Sequence, residues 1–178
     1  MIFVTVGTQL PFDRLVGAVD AWAQRHPDQK VLAQTGAGRT DYTAITCYAH
    51  LDQVAFLAMF KTADVVVAHA GMGSILTAAE LGKPVVIMPR RSDLGEHRND
   101  HQSATAAKMA ALSNVYVAQN AADLAQRLTQ LVVHGPVRMA VPTLPATARP
   151  ELIATLRAFV FDTGRAAQGD DFDAQVAL

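Results

Sequence analysis

Cysteine is almost missing from this sequence, and the single one, Cys47, has no partner for an internal disulfide. Set among strand-forming residues, it reads as a buried, inert thiol, which excludes a disulfide scaffold and argues against a cysteine nucleophile. Long apolar runs are missing too. No stretch approaches the roughly 20 residues that a bilayer-spanning helix needs. The opening residues, Met1-Ile2-Phe3-Val4-Thr5-Val6, lack the basic start of a secretory signal, so a cytoplasmic chain is expected. Charge of one sign is also lacking. With 15 Lys+Arg against 16 Asp+Glu scattered along 178 residues, the formal charge is -1, and no basic patch marks a nucleic acid or an anionic membrane as a partner. Aromatic residues make up only 6% of a chain that is 51% hydrophobic, so Ala, Val, Leu and Ile must fill the core. That composition suits a parallel sheet buried on both faces.

What is present is a regular alternation. The β-branched run Met1 to Val6, ended by Gly7, predicts a first buried strand, and Pro11 to Gln24 carries Leu15, Ala18, Val19 and Trp22 at helical spacing. Strands are predicted at Lys30 to Gln34, Ala44 to Tyr48, Asp64 to Ala68, Pro84 to Met88 and Asn114 to Ala118. Helices are predicted at Leu51 to Thr62, Ser74 to Leu81, Asp100 to Leu112 and Ala121 to Val133. Each parallel crossover needs a covering helix, so this order predicts an α/β fold with a doubly wound parallel sheet over residues 1–134. Beyond His134, Gly135, Pro136, Pro142, Pro145 and Pro150 predict a linker, followed by an amphipathic helix with Leu152, Ile153, Leu156, Phe159 and Val160 on one face, together spanning 135–162. Residues 163–178 are small, polar or acidic and read as a mobile tail.

In such a sheet the ligand lies beyond the carboxyl ends of the strands, where the strand order reverses. That selects the loops Gly7-Thr8-Gln9, Gly36-Ala37-Gly38-Arg39, His69 to Ser74 and Pro89 to Gln102. If the strands ending at Val6 and Ala68 are central neighbours, Gly7 and Gly71 face each other. Gly71-Met72-Gly73-Ser74 then has the physics of a phosphate site, because glycines let the backbone approach an anion and the next helix offers free N–H groups. The same residues also suit a plain strand-to-helix turn with Ser74 as N-cap. No Gly-Lys-Ser/Thr follows, and Leu76 stands where a dinucleotide fingerprint has its third glycine, which argues against ATP hydrolysis and NAD. The polar run Pro89 to Gln102 could read a sugar's hydroxyls or form a solvated loop. His97 and His101 are four apart, but no third ligand is indicated and no metal is expected.

Four motifs in order, Val6-Gly7-Thr8, Ala63 to Ser74, Leu81-Gly82-Lys83-Pro84 and Asn99-Asp100-His101-Gln102, resemble the C-terminal, donor-binding domain of family 28 glycosyltransferases over residues 1–134. The resemblance implies a Rossmann-like sheet equivalent to the donor half of a GT-B enzyme. It is nearest to the soluble subunits of split transferases, those of the dolichol-linked N-acetylglucosamine transferase and of bacterial exopolysaccharide synthesis. It implies that Gly7, Thr8 and Gln9 contact a diphosphate from one side and Gly71, Gly73 and Ser74 from the other, with His69 and Met72 among the substrate-binding residues. Asn99, Asp100, His101 and Gln102 would address the donor sugar, and the backbone near His50 to Gln53 the uracil. Where the family often carries a ribose-binding glutamate this chain has Thr77, with Glu80 three residues later. Arg90, Arg91 and Arg98 could pair with a carboxylate, so the donor is UDP-N-acetylglucosamine or UDP-glucuronate.

The acceptor site and general base belong to the other domain in two-domain relatives. No catalytic residue is therefore expected here, and activity is expected only with a membrane-anchored acceptor-binding partner. The reaction implied is an inverting, metal-independent hexosyl transfer without cofactor, building a lipid-linked or exopolysaccharide glycan at the inner membrane face. A homodimer of the isolated chain stays open. Sugar-nucleotide 2-epimerases share the architecture but fit poorly for want of clear catalytic carboxylates. A non-catalytic nucleotide-sugar sensor is the alternative.

Overall fold

The computed structural model of the chain describes residues 1–134; the linker and amphipathic helix expected at 135–162 and the tail expected at 163–178 lie outside the described residues. The strands are β1 (Ile2–Thr5), β2 (Val31–Gln34), β3 (Thr46–Tyr48), β4 (Val65–His69), β5 (Val85–Met88) and β6 (Val115–Val117). Between and after them run α1 (Asp13–Ala23), α2 (Gln53–Thr62), α3 (Met72–Glu80), α4 (His101–Met109) and α5 (Ala121–Val133). All pairings are parallel, in the order β3-β2-β1-β4-β5-β6. The chain is a doubly wound, Rossmann-like sheet, and the order reverses between β1 and β4.

Alternation along the strands divides the core. Ile2, Val4 and Val6 face the layer of α1 and α5, meeting Leu15, Val19 and Trp22 from one helix and Leu124 and Leu128 from the other. Phe3, Val66, Ala68 and Ile87 face the opposite layer, meeting Phe60 of α2, Ile75 and Ala78 of α3 and Ala106 of α4. Because both faces are covered, β1, β2 and β5 are buried along their whole length. Side chains cap two of the helices: Asp52 accepts from the Ala55 amide at the start of α2, and Asn120 from the Asp123 amide at the start of α5.

Several boundaries differ from the periodicity. The strand expected from Ala44 starts at Thr46, on the edge of the sheet, and Cys47 within it is half-buried rather than buried. Burial and the nearby Asp20 carboxylate push its thiol up, which keeps it protonated and unreactive. The loop after β5 contains a 3-10 turn, Ser92–Leu94, ended by Gly95 at φ +68. In the next element the apolar spacing is weak, so α4 spans only His101–Met109.

Candidate functional site

Where β1 and β4 part, two glycines flank one ring. Gly7 turns the chain at φ +77, and a Cβ there would stand 2.7 Å from His69 Cε1. Gly71 has an ordinary φ of -90, but a Cβ there would collide with His69 Nε2. His69, the last residue of β4, fills the gap that the missing side chains leave. Helix α3 starts directly after Gly71, two residues earlier than the spacing implied, and the N-cap is Gly71 without a side-chain bond. Ser74 is therefore not the cap; it is buried within the first turn. Like any helix start, this one offers main-chain N–H groups that have no intrahelical acceptor. A Cβ on Gly73 would meet nothing within 4 Å, so open space lies above that turn.

The Nδ1 atom of His69 is buried and has no hydrogen-bond partner. Burial, helped by the positive charge of Arg90, pushes its pKa down to about 4, so the ring is neutral near pH 7. An unpaired buried nitrogen beside a cation is costly unless something else comes to pair with it.

Arg90 is 2% exposed. Its guanidinium donates to the carbonyls of Val6 at 2.8 Å and Leu10 at 2.6 Å and also to that of Pro11. It lies over the Phe12 ring, 4.6 Å from the centroid. The neighbouring cation, Arg14 of α1, is paired in the bidentate manner with Glu96, at 2.6 and 2.8 Å, and also donates to the Pro89 carbonyl. Glu96 in turn accepts from the Arg91 amide. The loop after β5 is thereby tied to the loop after β1 through Arg90 and to α1 through Arg14.

These loops enclose a cavity of about 660 Å³ at the carboxyl ends of the strands. Gly7, Thr8 and Gln9 line one wall, and His69, Gly71, Met72, Gly73, Ser74 and Thr77 another. Arg90 and Gln102 also reach it, Gln102 with its Oε1 held by the Arg90 amide at 3.1 Å. Of the stretch His50 to Gln53, Leu51 and Gln53 contribute. The Thr77 hydroxyl donates back to the Gly73 carbonyl at 2.9 Å. Glu80 is exposed and does not line the cavity.

Five expected residues, Arg91, Arg98, Asn99, Asp100 and His101, do not line this cavity. Arg91 pairs with Asp93, its Nε 2.9 Å from Oδ1, and Asp100 accepts from the Ser92 amide and hydroxyl, bonds that hold its carboxyl below the usual range. Both line a separate hollow with Ser103 and Asn120. Asn99 meets His97, whose Nδ1 lies 3.1 Å from the Asn99 carbonyl and side-chain oxygens. The Gly36-Ala37-Gly38-Arg39 loop is also outside the lining, and the Arg39 amide donates to Asp13 instead. Arg90 corrects the expectation of a carboxylate receptor most clearly. Three main-chain carbonyls occupy its fork.

Thr5, Gln34 and Phe56 line the cavity without having been anticipated, and His97, from the polar run after β5, lines it too. For Thr5 and Gln34 the signal existed, since each ends a strand beside a glycine loop. The Thr5 hydroxyl bridges them, donating to Gln34 Oε1 at 3.2 Å and accepting from the Gly7 amide at 3.3 Å. Phe56 looks like any core residue of α2, and only the fold turns it to the cavity. Among the described residues no cluster of three or more His, Cys, Asp or Glu is placed to hold a metal ion, and none of the lining residues is an aspartate or glutamate.

The sequence matches the Glycosyltransferase family 28 C-terminal domain over residues 1–148. Solved structures share the fold. The glycotransferase of kitacinnamycin aligns at 24% identity and TM-score 0.59, over 92% of this chain and 42% of its own. The solution structure of ALG13 aligns at 19% identity and TM-score 0.58, over 89% of this chain and 94% of its own. A UDP-GlcNAc 2-epimerase from Neisseria meningitidis, solved bound to UDP-GlcNAc, aligns at 12% identity and TM-score 0.57, over 87% of this chain and 43% of its own. The chain thus spans less than half of two of these three. No curated protein matches it.

Proposed function

The chain belongs to glycosyltransferase family 28 through the family's C-terminal domain, and from that premise we propose that its cavity holds a UDP-sugar for transfer to an acceptor bound by a second domain or protein. One observation carries this reading: Gly7 and Gly71 meet across the reversal of strand order around His69, whose Nδ1 has no hydrogen-bond partner, with Arg90 the one arginine or lysine among the described residues of the lining. That is a site for an anion with two phosphates. Main-chain N–H groups after Gly7 and at the start of α3 would donate to it, with the positive end of the helix dipole behind them. His69 would be able to donate as well once protonated or in the right tautomer.

The remaining parts of a nucleotide sugar fit the flanks. Leu51, Gln53 and Phe56 form an apolar and amide wall suited to uracil. Thr77 lies near enough to the glycine turn for the ribose, without a carboxylate to chelate its hydroxyls. Gln102, fixed through its Oε1, keeps its NH₂ for the sugar. Arg90 and Arg91 are committed elsewhere and Arg98 does not line the cavity, which disfavours a glucuronate donor, whereas N-acetylglucosamine needs no cation.

The chemistry we propose is an inverting displacement. A base on the partner takes the proton of an acceptor hydroxyl, the oxygen attacks the anomeric carbon, and UDP leaves against the amides and helix dipole without a metal ion. The lining supports placing the base elsewhere, since among the described residues it holds no carboxylate and His69 is a weak base. Among the described residues no helix is long and apolar enough to cross a membrane. We propose that a membrane-anchored partner supplies the acceptor at the cytoplasmic face, for a lipid-linked or exopolysaccharide product.

Calorimetry of the full chain with UDP, ADP, UDP-N-acetylglucosamine and UDP-glucuronate tests the donor site. Preference for the uridine nucleotides is expected, and absence of UDP binding defeats the reading. Sugar transfer assayed with and without a co-expressed membrane partner tests the rest. UDP-sugar binding that never yields transfer with any partner would instead make the chain a sensor.

A further inference from the structure

We propose that Arg90 is a positioning residue, whose guanidinium, from the end of β5, holds the loop 7–11 in one arrangement while its main-chain N–H orients the Gln102 side chain. The inference rests on the nucleotide-sugar reading of the cavity, because these are the parts assigned there to the diphosphate and the sugar.

The bonding of Arg90 carries the argument. Val6, Leu10 and Pro11, whose carbonyls it binds, bracket the turn at Gly7, Thr8 and Gln9 on both sides. Nη2 serves Val6 and Leu10, and Nη1 serves Pro11, so two nitrogens of a rigid plane fix three points of one loop. Phe12 closes over the guanidinium and shields it from water. On the other side, the Arg90 amide holds Gln102 Oε1 at 3.1 Å, which orients that amide group. Among the described residues no carboxylate forms an ion pair with Arg90; the nearby Glu96 is taken by Arg14. A residue recruited only for charge would keep its donors for the ligand, whereas this one spends them on the protein's main chain.

The physical consequence is preorganisation. The segment Thr8 to Pro11 is exposed and lies outside any helix or strand, so left to itself it would be ordered only on binding and would weaken affinity by that entropy. With its carbonyls already fixed, its N–H groups are aimed before the ligand arrives. Lysine cannot replace this, because it ends in one nitrogen and lacks the plane.

The test compares Arg90→Lys and Arg90→Gln with the unaltered full chain, measuring affinity for UDP and for uridine together with hydrogen exchange of the Thr8 and Gln9 amides in the free protein. Both variants are expected to lose about tenfold or more in UDP affinity, to keep uridine affinity within about twofold, and to exchange Thr8 and Gln9 faster while amides of β4 and β5 stay protected. Full UDP affinity in Arg90→Lys overturns the proposal, since charge alone would then suffice. Equal loss of UDP and uridine overturns it as well, as does unchanged exchange at Thr8 and Gln9. If Arg90→Gln fails to fold, Arg90→Lys decides. Failure of the unaltered chain to bind either probe defeats the nucleotide reading, while the exchange of the loop amides still reports separately on whether Arg90 holds them.

Discussion

Gly71 and Gly73 stand two positions apart and face different constraints. A methyl group on Gly71 runs into His69, which is itself wedged against Gly7, whereas one on Gly73 meets only open space. Gly73→Ala should therefore leave thermal stability unchanged or raise it, since alanine favours a helix by about 1 kcal/mol over glycine. Its UDP affinity should still fall about tenfold, because the added methyl occupies the approach of a phosphate. Gly71→Ala should lower both. Melting curves and calorimetry on the two variants decide the point, and unchanged binding in Gly73→Ala would remove the phosphate from that turn.

His69 carries the pH dependence. Its pKa of about 4 in the folded chain lies below the ordinary 6.5, so the unfolded chain binds the extra proton between those values. Stability from this residue is complete above pH 6.5 and is lost as the pH falls towards 4. A bound diphosphate would favour the charged ring and raise its pKa, so binding should take up a proton and tighten as the pH falls. Calorimetry with UDP-N-acetylglucosamine in buffers of different ionisation enthalpy measures the uptake, and it should vanish in His69→Asn.

At the scale of elements, the loop between β5 and α4 divides into two parts. Its start, at Arg90, and His97 further along reach the cavity, as does Gln102 in the first turn of α4, while Arg91, Asp93 and Asp100 turn to the outer hollow. Hydrogen exchange with saturating UDP-N-acetylglucosamine should accordingly slow segments 6–10, 70–77 and the amides around Gln102, and leave 37–41 and 92–95 unaffected. Protection of 37–41 would place the ligand on the wrong side of α1. The sequence could not make this division, because every residue from Arg90 to Asp100 except Leu94 and Gly95 is charged or hydrogen-bonding, and polarity does not say which way a side chain points. Helix and strand positions were legible because apolar periods of 3.6 and 2 are imposed by burial. Ends were less so: α3 begins at Met72 because Gly71, with no Cβ, lets the chain turn beside His69.

For the molecule as a whole, the alternating elements and the buried runs Val65 to Ala68 and Val85 to Met88 left little choice beyond a parallel sheet covered on both faces. The order β3-β2-β1-β4-β5-β6 then brings the ends of β1 and β4 together, so Gly7 and His69, 62 positions apart in the numbering, become neighbours. Fold class, and the choice of strand-end loops as the place for a ligand, were determined by sequence alone, since both follow from hydrophobic period and from the handedness of crossovers. Family membership was legible in four short motifs for the same local reason. The use made of each polar side chain was decided only by tertiary structure. Arg90 and Arg91 are adjacent and chemically identical, yet one is buried against three carbonyls of a distant loop and the other stays outside with Asp93. Which of two neighbours meets those carbonyls depends on how the end of β5 lies against the loop after β1, a distance across the sheet that no local pattern encodes.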